Sequence, residues 1–216
     1  MRRVVALAAC LAGCAPVAPG PLGTTDRERT RPDPVSGDST RGLPPAGHGS
    51  LRQDEFSVEI VDATLHVKVT PLAEEVIRLA APDTYHRLRA LGASRETEAE
   101  ALARSENAVL FLVSFFSREP NVEYRPDELQ ISHRGRIQRP AGIVPLTSGW
   151  GRQLLQPQQT QSAIYAFEPP FDYDLPLTIR YGLLQSDAWS QSVLPRLEEE
   201  RNRVVSRAGG WTGPQR

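Results

Sequence analysis

Lysine is nearly missing from this chain. Lys68 is the only one, and the other basic residues are arginines. Arginine used in place of lysine can mark recognition of phosphate or carboxylate groups. Here the arginines are spread along the chain, which fits a GC-rich coding composition better. Cysteine is equally scarce: Cys10 and Cys14 are the two present, so no disulfide and no thiolate metal site can form beyond residue 14. The net charge is only −1, without the strongly basic balance that a nucleic-acid partner calls for. Apolar runs are short, well under the roughly 20 residues that a membrane-spanning helix needs. There is no Gly-rich phosphate loop. The histidines His48, His66, His86 and His133 are scattered, without a metal-ligand spacing such as His-Glu-x-x-His. Ser148 sits in Ser-Gly-Trp-Gly, which lacks the flanking glycines of a nucleophile elbow. No catalytic residue, metal or cofactor is therefore expected.

What is present begins at the N-terminus. Met1-Arg2-Arg3 is a positive start, residues 4–12 are apolar, and Leu11-Ala12-Gly13-Cys14 follows. A short charged-then-apolar leader ending in small residues reads as an export signal. Leu-Ala-Gly-Cys resembles the lipobox of bacterial lipoproteins. The resemblance implies cleavage after residue 13, diacylglycerol on the Cys14 thiol, and a partner in the form of a membrane held through that lipid. Cys10 would leave with the signal. Ala15, rather than an aspartate, follows the cysteine. By the same resemblance this implies the outer membrane, facing the periplasm or the surface, if the host has two membranes. Residues 14–50 are rich in proline, glycine and polar residues and poor in large apolar ones. Such a stretch buries too little to offset its ordering entropy, so it reads as a semi-extended tether.

Residues 51–185 read as one domain, mainly β. Residues 56–69 alternate with period two, with a bulge or break expected near 62–64. Residues 71–105 change to a helical period. Thr70 and Pro71 suit a helix start, Asp83 a second short helix ended by Gly92, and Ser94 a third with Leu102 inward. Residues 107–116 are apolar on both parities, the mark of a central strand covered on both faces. Residues 129–132 and 136–138 read as a hairpin turning at His133-Arg134-Gly135. His66 falls on the solvent parity of its strand. Trp150 reads as a plug over one end of the core. Residues 161–167 and 175–181 supply two more strands. Residues 186–216 carry a C-terminal helix expected to start at Pro195 and stop at Gly209-Gly210, then a loose tail. Short strands closing on a two-faced central strand imply an antiparallel β-sandwich with a helical insertion, α+β overall. The order of elements resembles the small immunoglobulin-like domains of bacterial lipoproteins.

Two kinds of function remain open. A binding or scaffolding module of the cell envelope would use the insertion, whose arginines Arg78, Arg87 and Arg89 suit interface hydrogen bonds to an envelope protein. An envelope hydrolase would need carboxylates assembled in space, with Asp172 and Asp174 the first suspects. Ligand carriage or pilot-type chaperoning is a further alternative. His133, Arg134, Arg136 and Arg139 form a local basic cluster that could hold an anion, but a solvated hairpin tip is the better account of it.

Overall fold

A computed structural model describes residues 43–209; the expectations for Cys14, for the signal, for residues 14–42 of the tether and for the tail after 209 lie outside them. In chain order the strands and helices are β1 Val58–Val61, β2 Leu65–Pro71, α1 Glu74–Ile77, α2 Pro82–Ala103, β3 Val109–Ser117, β4 Val122–Glu123, β5 Leu129–His133 and β6 Arg136–Gln138. They continue with β7 Gly142–Pro145, β8 Leu154–Leu155, β9 Thr160–Phe167, β10 Leu177–Tyr181, β11 Leu184–Ser186 and α3 Leu194–Gly209.

The two-faced strand is central, as its composition implies. β3 lies between β2 and β9 in a five-stranded antiparallel sheet ordered β1-β2-β3-β9-β7. Its odd positions Phe111, Val113 and Phe115 are buried together with their cross-strand partners Val69, Val67, Tyr165 and Ala163. Facing them are Leu129 and Ile131 of β5 and Leu177, Ile179 and Tyr181 of β10, from a second sheet ordered β11-β10-β5-β6. Aromatic rings tie the two layers. Phe115 stacks on Tyr124 at 4.8 Å and meets Tyr181 at 5.6 Å and Trp150 at 5.8 Å. Such pairs add about 0.5–1.5 kcal/mol each beyond the area they bury. Trp150 is indeed the plug, and the short β4–β8 ribbon holds its loop closed. The chain is thus a mainly β, antiparallel sandwich with a helical insertion and a C-terminal helix.

Several elements differ from expectation. The expected bulge or break near 62–64 is a turn, and β1 and β2 on either side of it form a hairpin. The inward residues are even-numbered before 62 and odd-numbered after 64, a phase change that a three-residue turn produces. The Asp62 N–H donates to the Leu65 carbonyl at 2.9 Å to close it. Thr70 and Pro71 do not begin a helix. They end β2 opposite Leu112 and Phe111, and the buried Thr70 hydroxyl bonds Ser57 and Gln53. The second and third short helices are one helix, α2, that runs through Gly92. A helical glycine costs about 1 kcal/mol relative to alanine. The burial of Tyr85, Leu88, Ala99 and Ala103 outweighs it.

Leu102 was expected inward and is 50% exposed. Ala99 and Ala103 face the sheet in its place. Their small size lets α2 approach β7 so closely that a Cβ on Gly142 would lie 2.9 Å from the Leu102 Cβ and 3.1 Å from the Ala103 nitrogen. Alanine here sets distance more than buried area. The other end of the outer face carries Ser114, bonded to Ser162, and Phe116, met edge-on by His66. The C-terminal helix also starts earlier than Pro195. A wide turn over Trp189–Val193 runs into α3. A wide turn displaces the carbonyl four residues before a proline, the group its ring would otherwise strike.

The domain takes in residues that composition assigned to the tether. Pro44 and Gly49 are buried, and Leu51 forms a parallel bridge with Ala80. Glu200, 1% exposed, accepts from the Ser50 N–H at 2.9 Å and the Ser50 hydroxyl at 2.8 Å. Arg203 and Arg207 flank that carboxylate, and Arg207 also donates to the His48 carbonyl at 3.0 Å. This clasp joins the start of the domain to its last helix.

Candidate functional site

A hollow lies where the β5–β6 hairpin meets the segment after β9. Arg134 and Gly135, at φ of 51° and 74°, make the turn with the left-handed backbone that a two-residue hairpin uses. His133 was expected at a solvated tip, yet it is 3% exposed. It shares the inward parity of Leu129 and Ile131 and stacks on Phe171 with centroids 5.2 Å apart. Its Nε2 accepts from the Asp172 N–H at 3.3 Å, so the neutral ring carries its proton on Nδ1. Burial, with Arg134 beside it, pushes the His133 pKa below its ordinary value. Arg134 reaches Asp172 at 2.8 Å, and that contact, helped by the Asp174 N–H, holds the Asp172 carboxyl below the usual carboxylate range.

The cleft has a volume of about 520 Å³. Its walls include Arg134, Arg136 and Arg139 on one side and Glu168, Pro169 and Pro170 on the other. The basic cluster read from the sequence is therefore a wall of a cavity, which spacing alone did not show. Arg136, Arg139 and Glu168 are exposed and make no ion pair or side-chain hydrogen bond among the described residues. The Gln138 Oε1 is buried without a partner among the described residues.

The insertion arginines are placed differently from one another. Arg78 is mostly covered: its side chain is 15% exposed, paired with Glu74 at 2.6 Å and near the Pro44 carbonyl. It braces α1 against residues before the first strand, so its position is not outward as expected. Arg89 shares Glu74 from the other side, at 3.3 Å, and lies over the Tyr85 ring. Arg87 is exposed and donates to Gln53 at 2.8 Å. Arg78 and Arg89 are thus joined through one carboxylate, with Arg87 on the neighbouring α2 face.

Asp172 and Asp174 lie on either side of the buried Tyr173, and Glu75, which no sequence pattern singled out, lies near them. Asp174 pairs with Arg201 at 2.9 Å. Glu75 is half-buried, and burial together with Asp174 pushes its carboxyl up, against the pull of Arg201. Tyr173 between the aspartates is buried, its ring lies 5.8 Å from Trp189, and among the described residues neither its hydroxyl nor the Trp189 indole N–H has a partner. One carboxyl raised and one lowered is the asymmetry that acid–base chemistry uses. No spacing in the sequence links residue 75 to 172–174; the fold alone does.

No group of three or more His, Cys, Asp or Glu among the described residues is placed to hold a metal ion. No helix among them is long and apolar enough to cross a membrane. Comparison with known proteins returned no match: no family model, no curated protein and no solved structure resembles the chain at a significant level.

Proposed function

We propose that this chain is a lipid-anchored binding or scaffolding module of the cell envelope, without catalysis of its own. Cys14 would carry the lipid, the proline-rich stretch would hold the domain off the membrane, and Ala15 favours the outer membrane in a host with two. A tethered domain gains effective concentration for any partner in the same envelope. The immunoglobulin-like lipoprotein domains remain the architectural analogy. The observation that supports a partner-binding role is the exposure of Arg87 and Arg89 on the first turns of the 22-residue helix α2. They stand on opposite flanks of it, about 160° apart around its axis, and arginine is enriched among interface anchors. No nucleic acid is proposed as partner.

The test is a crosslinking pull-down from membranes with the full chain, comparing wild type with Arg87→Glu and Arg89→Glu. Arg78 is left unchanged because it braces the fold. Loss of a specific captured envelope protein at unchanged melting temperature supports the reading; an unchanged set of captured proteins removes it. Absence of lipid mass on the N-terminal peptide, or full solubility of the wild type, removes the anchor. The hydrolase reading has one observation in its favour, the raised Glu75 carboxyl near Asp172 and Asp174. Hydrolysis of an envelope substrate that disappears in Glu75→Gln would replace the module reading.

A further inference from the structure

A sandwich normally turns apolar side chains inward from every strand. β6 breaks that rule. Its register pairs Arg136 with His133 and Gln138 with Ile131. Directly paired residues share a face of the sheet, so Arg136 and Gln138 lie on the face that β5 turns to the core. Yet β6 is the edge strand, and beside it stands a cleft of about 520 Å³, within the range of small-molecule sites. The apolar residue of β6, Ile137, points the other way and is 55% exposed. Inverting an edge strand in this manner leaves polar groups facing a hollow.

Those polar groups are complementary in kind. Arg136 and Arg139 supply donors with full charge, and neither has a partner among the described residues. His133 is fixed by its Nε2 bond with the donor Nδ1–H left over. Opposite in charge stands the Glu168 carboxylate, exposed, without a partner among the described residues, and able to accept from a bound cationic group. A bare anion would satisfy the arginines and be repelled by Glu168. A purely cationic ligand would do the reverse.

The geometry points to a binding site for a short peptide with a free carboxylate and a free amino group, seated between β6 and residues 168–170. The carboxylate would be taken by Arg136 and Arg139, and the ammonium by Glu168. Arg134, held by Asp172, would close the rim. This site is separate from the α2 face and stands or falls without it.

The experiment is isothermal calorimetry of the full chain with four probes: Ala-Ala-Ala, its C-terminal amide, its N-acetyl derivative, and inorganic phosphate. The free tripeptide should bind. Amidation should weaken it about ten- to hundredfold, the range for losing a charge-assisted hydrogen bond, and N-acetylation by about tenfold. Arg136→Gln with Arg139→Gln should abolish binding at unchanged melting temperature. If that pair lowers the melting temperature, Glu168→Gln, exposed and unpartnered, serves instead and should erase the difference between free and N-acetylated peptide. Equal binding of the amide, phosphate binding as tight as the tripeptide, or no tripeptide binding at millimolar concentration would each overturn the proposal.

Discussion

Glu200 is the residue whose removal tests the fold most sharply. Along the last helical segment the buried positions are Trp189, Val193, Leu197, Glu200 and Val204. The spacing is that of one helix face, and a carboxylate occupies a place where an apolar side chain would be usual. It is retained in the structure by three short contacts, from the Ser50 N–H, the Ser50 hydroxyl and Arg203 at 2.7 Å. Hydrogen bonds to a charged group contribute about 1.5–3 kcal/mol each. Ser50 is exposed and Arg203 is 45% exposed, so water serves both once the carboxylate is gone, and the low end applies. Relief from burying a charge offsets part of the remainder. Glu200→Ala should therefore cost about 3 kcal/mol, which is about 6–12 °C in melting temperature for a domain of this length. Glu200→Gln keeps an acceptor for Ser50 and should cost about half as much, by the weaker neutral bond. The assay is urea unfolding of the full chain, with limited proteolysis alongside. Cleavage within residues 43–50 should accelerate in Glu200→Ala, because that segment loses its hold on α3. A loss under about 1 kcal/mol with unchanged cleavage would refute the clasp, since breaking a buried charged contact costs more than that.

Two further substitutions follow from the same packing. Gly49→Ala would place a Cβ 2.1 Å from the Leu79 carbonyl oxygen, an approach that only displacement of backbone can relieve. It should destabilise by about 3 kcal/mol or more, comparable to severe overpacking, measured by thermal melting. Glu75→Gln addresses pH. A carboxyl raised in the fold holds a proton that the unfolded chain has released, so stability falls as pH rises from about 4.5 through the folded value. The variant should melt higher than wild type at pH 7 and like wild type at pH 4, the other titrating groups being common to both. A constant difference at both pH values would place Glu75 in a different environment.

Much of the architecture was legible because alternation and burial are local in sequence. The two-faced run of β3, the turn at Arg134-Gly135 and the helical period after residue 71 each repeat within a few residues. The errors came where a local signal had a distant reason. Gly92 looked like a helix stop, but it packs within reach of Leu72 inside α2, and nothing near it in sequence says so. Leu102 looked inward and Ala103 incidental; the closeness of Gly142 reverses them. His133 looked solvated because its neighbours in sequence are a turn and arginines, while Phe171 covers it from another segment.

The sequence by itself determined the class of fold, an antiparallel β-sandwich with helices, since side-chain periodicity is a property of the chain. It also determined the composition limits on disulfides and on thiolate metal sites after residue 14. Tertiary structure alone decided which polar groups come together. Glu200 bonds Ser50, Glu75 lies near Asp172 and Asp174, and Arg136, Arg139 and Glu168 line one cleft, all across tens of residues or more. Charges act over a few ångströms of space, and sequence separation carries no measure of that distance until strands have chosen their partners.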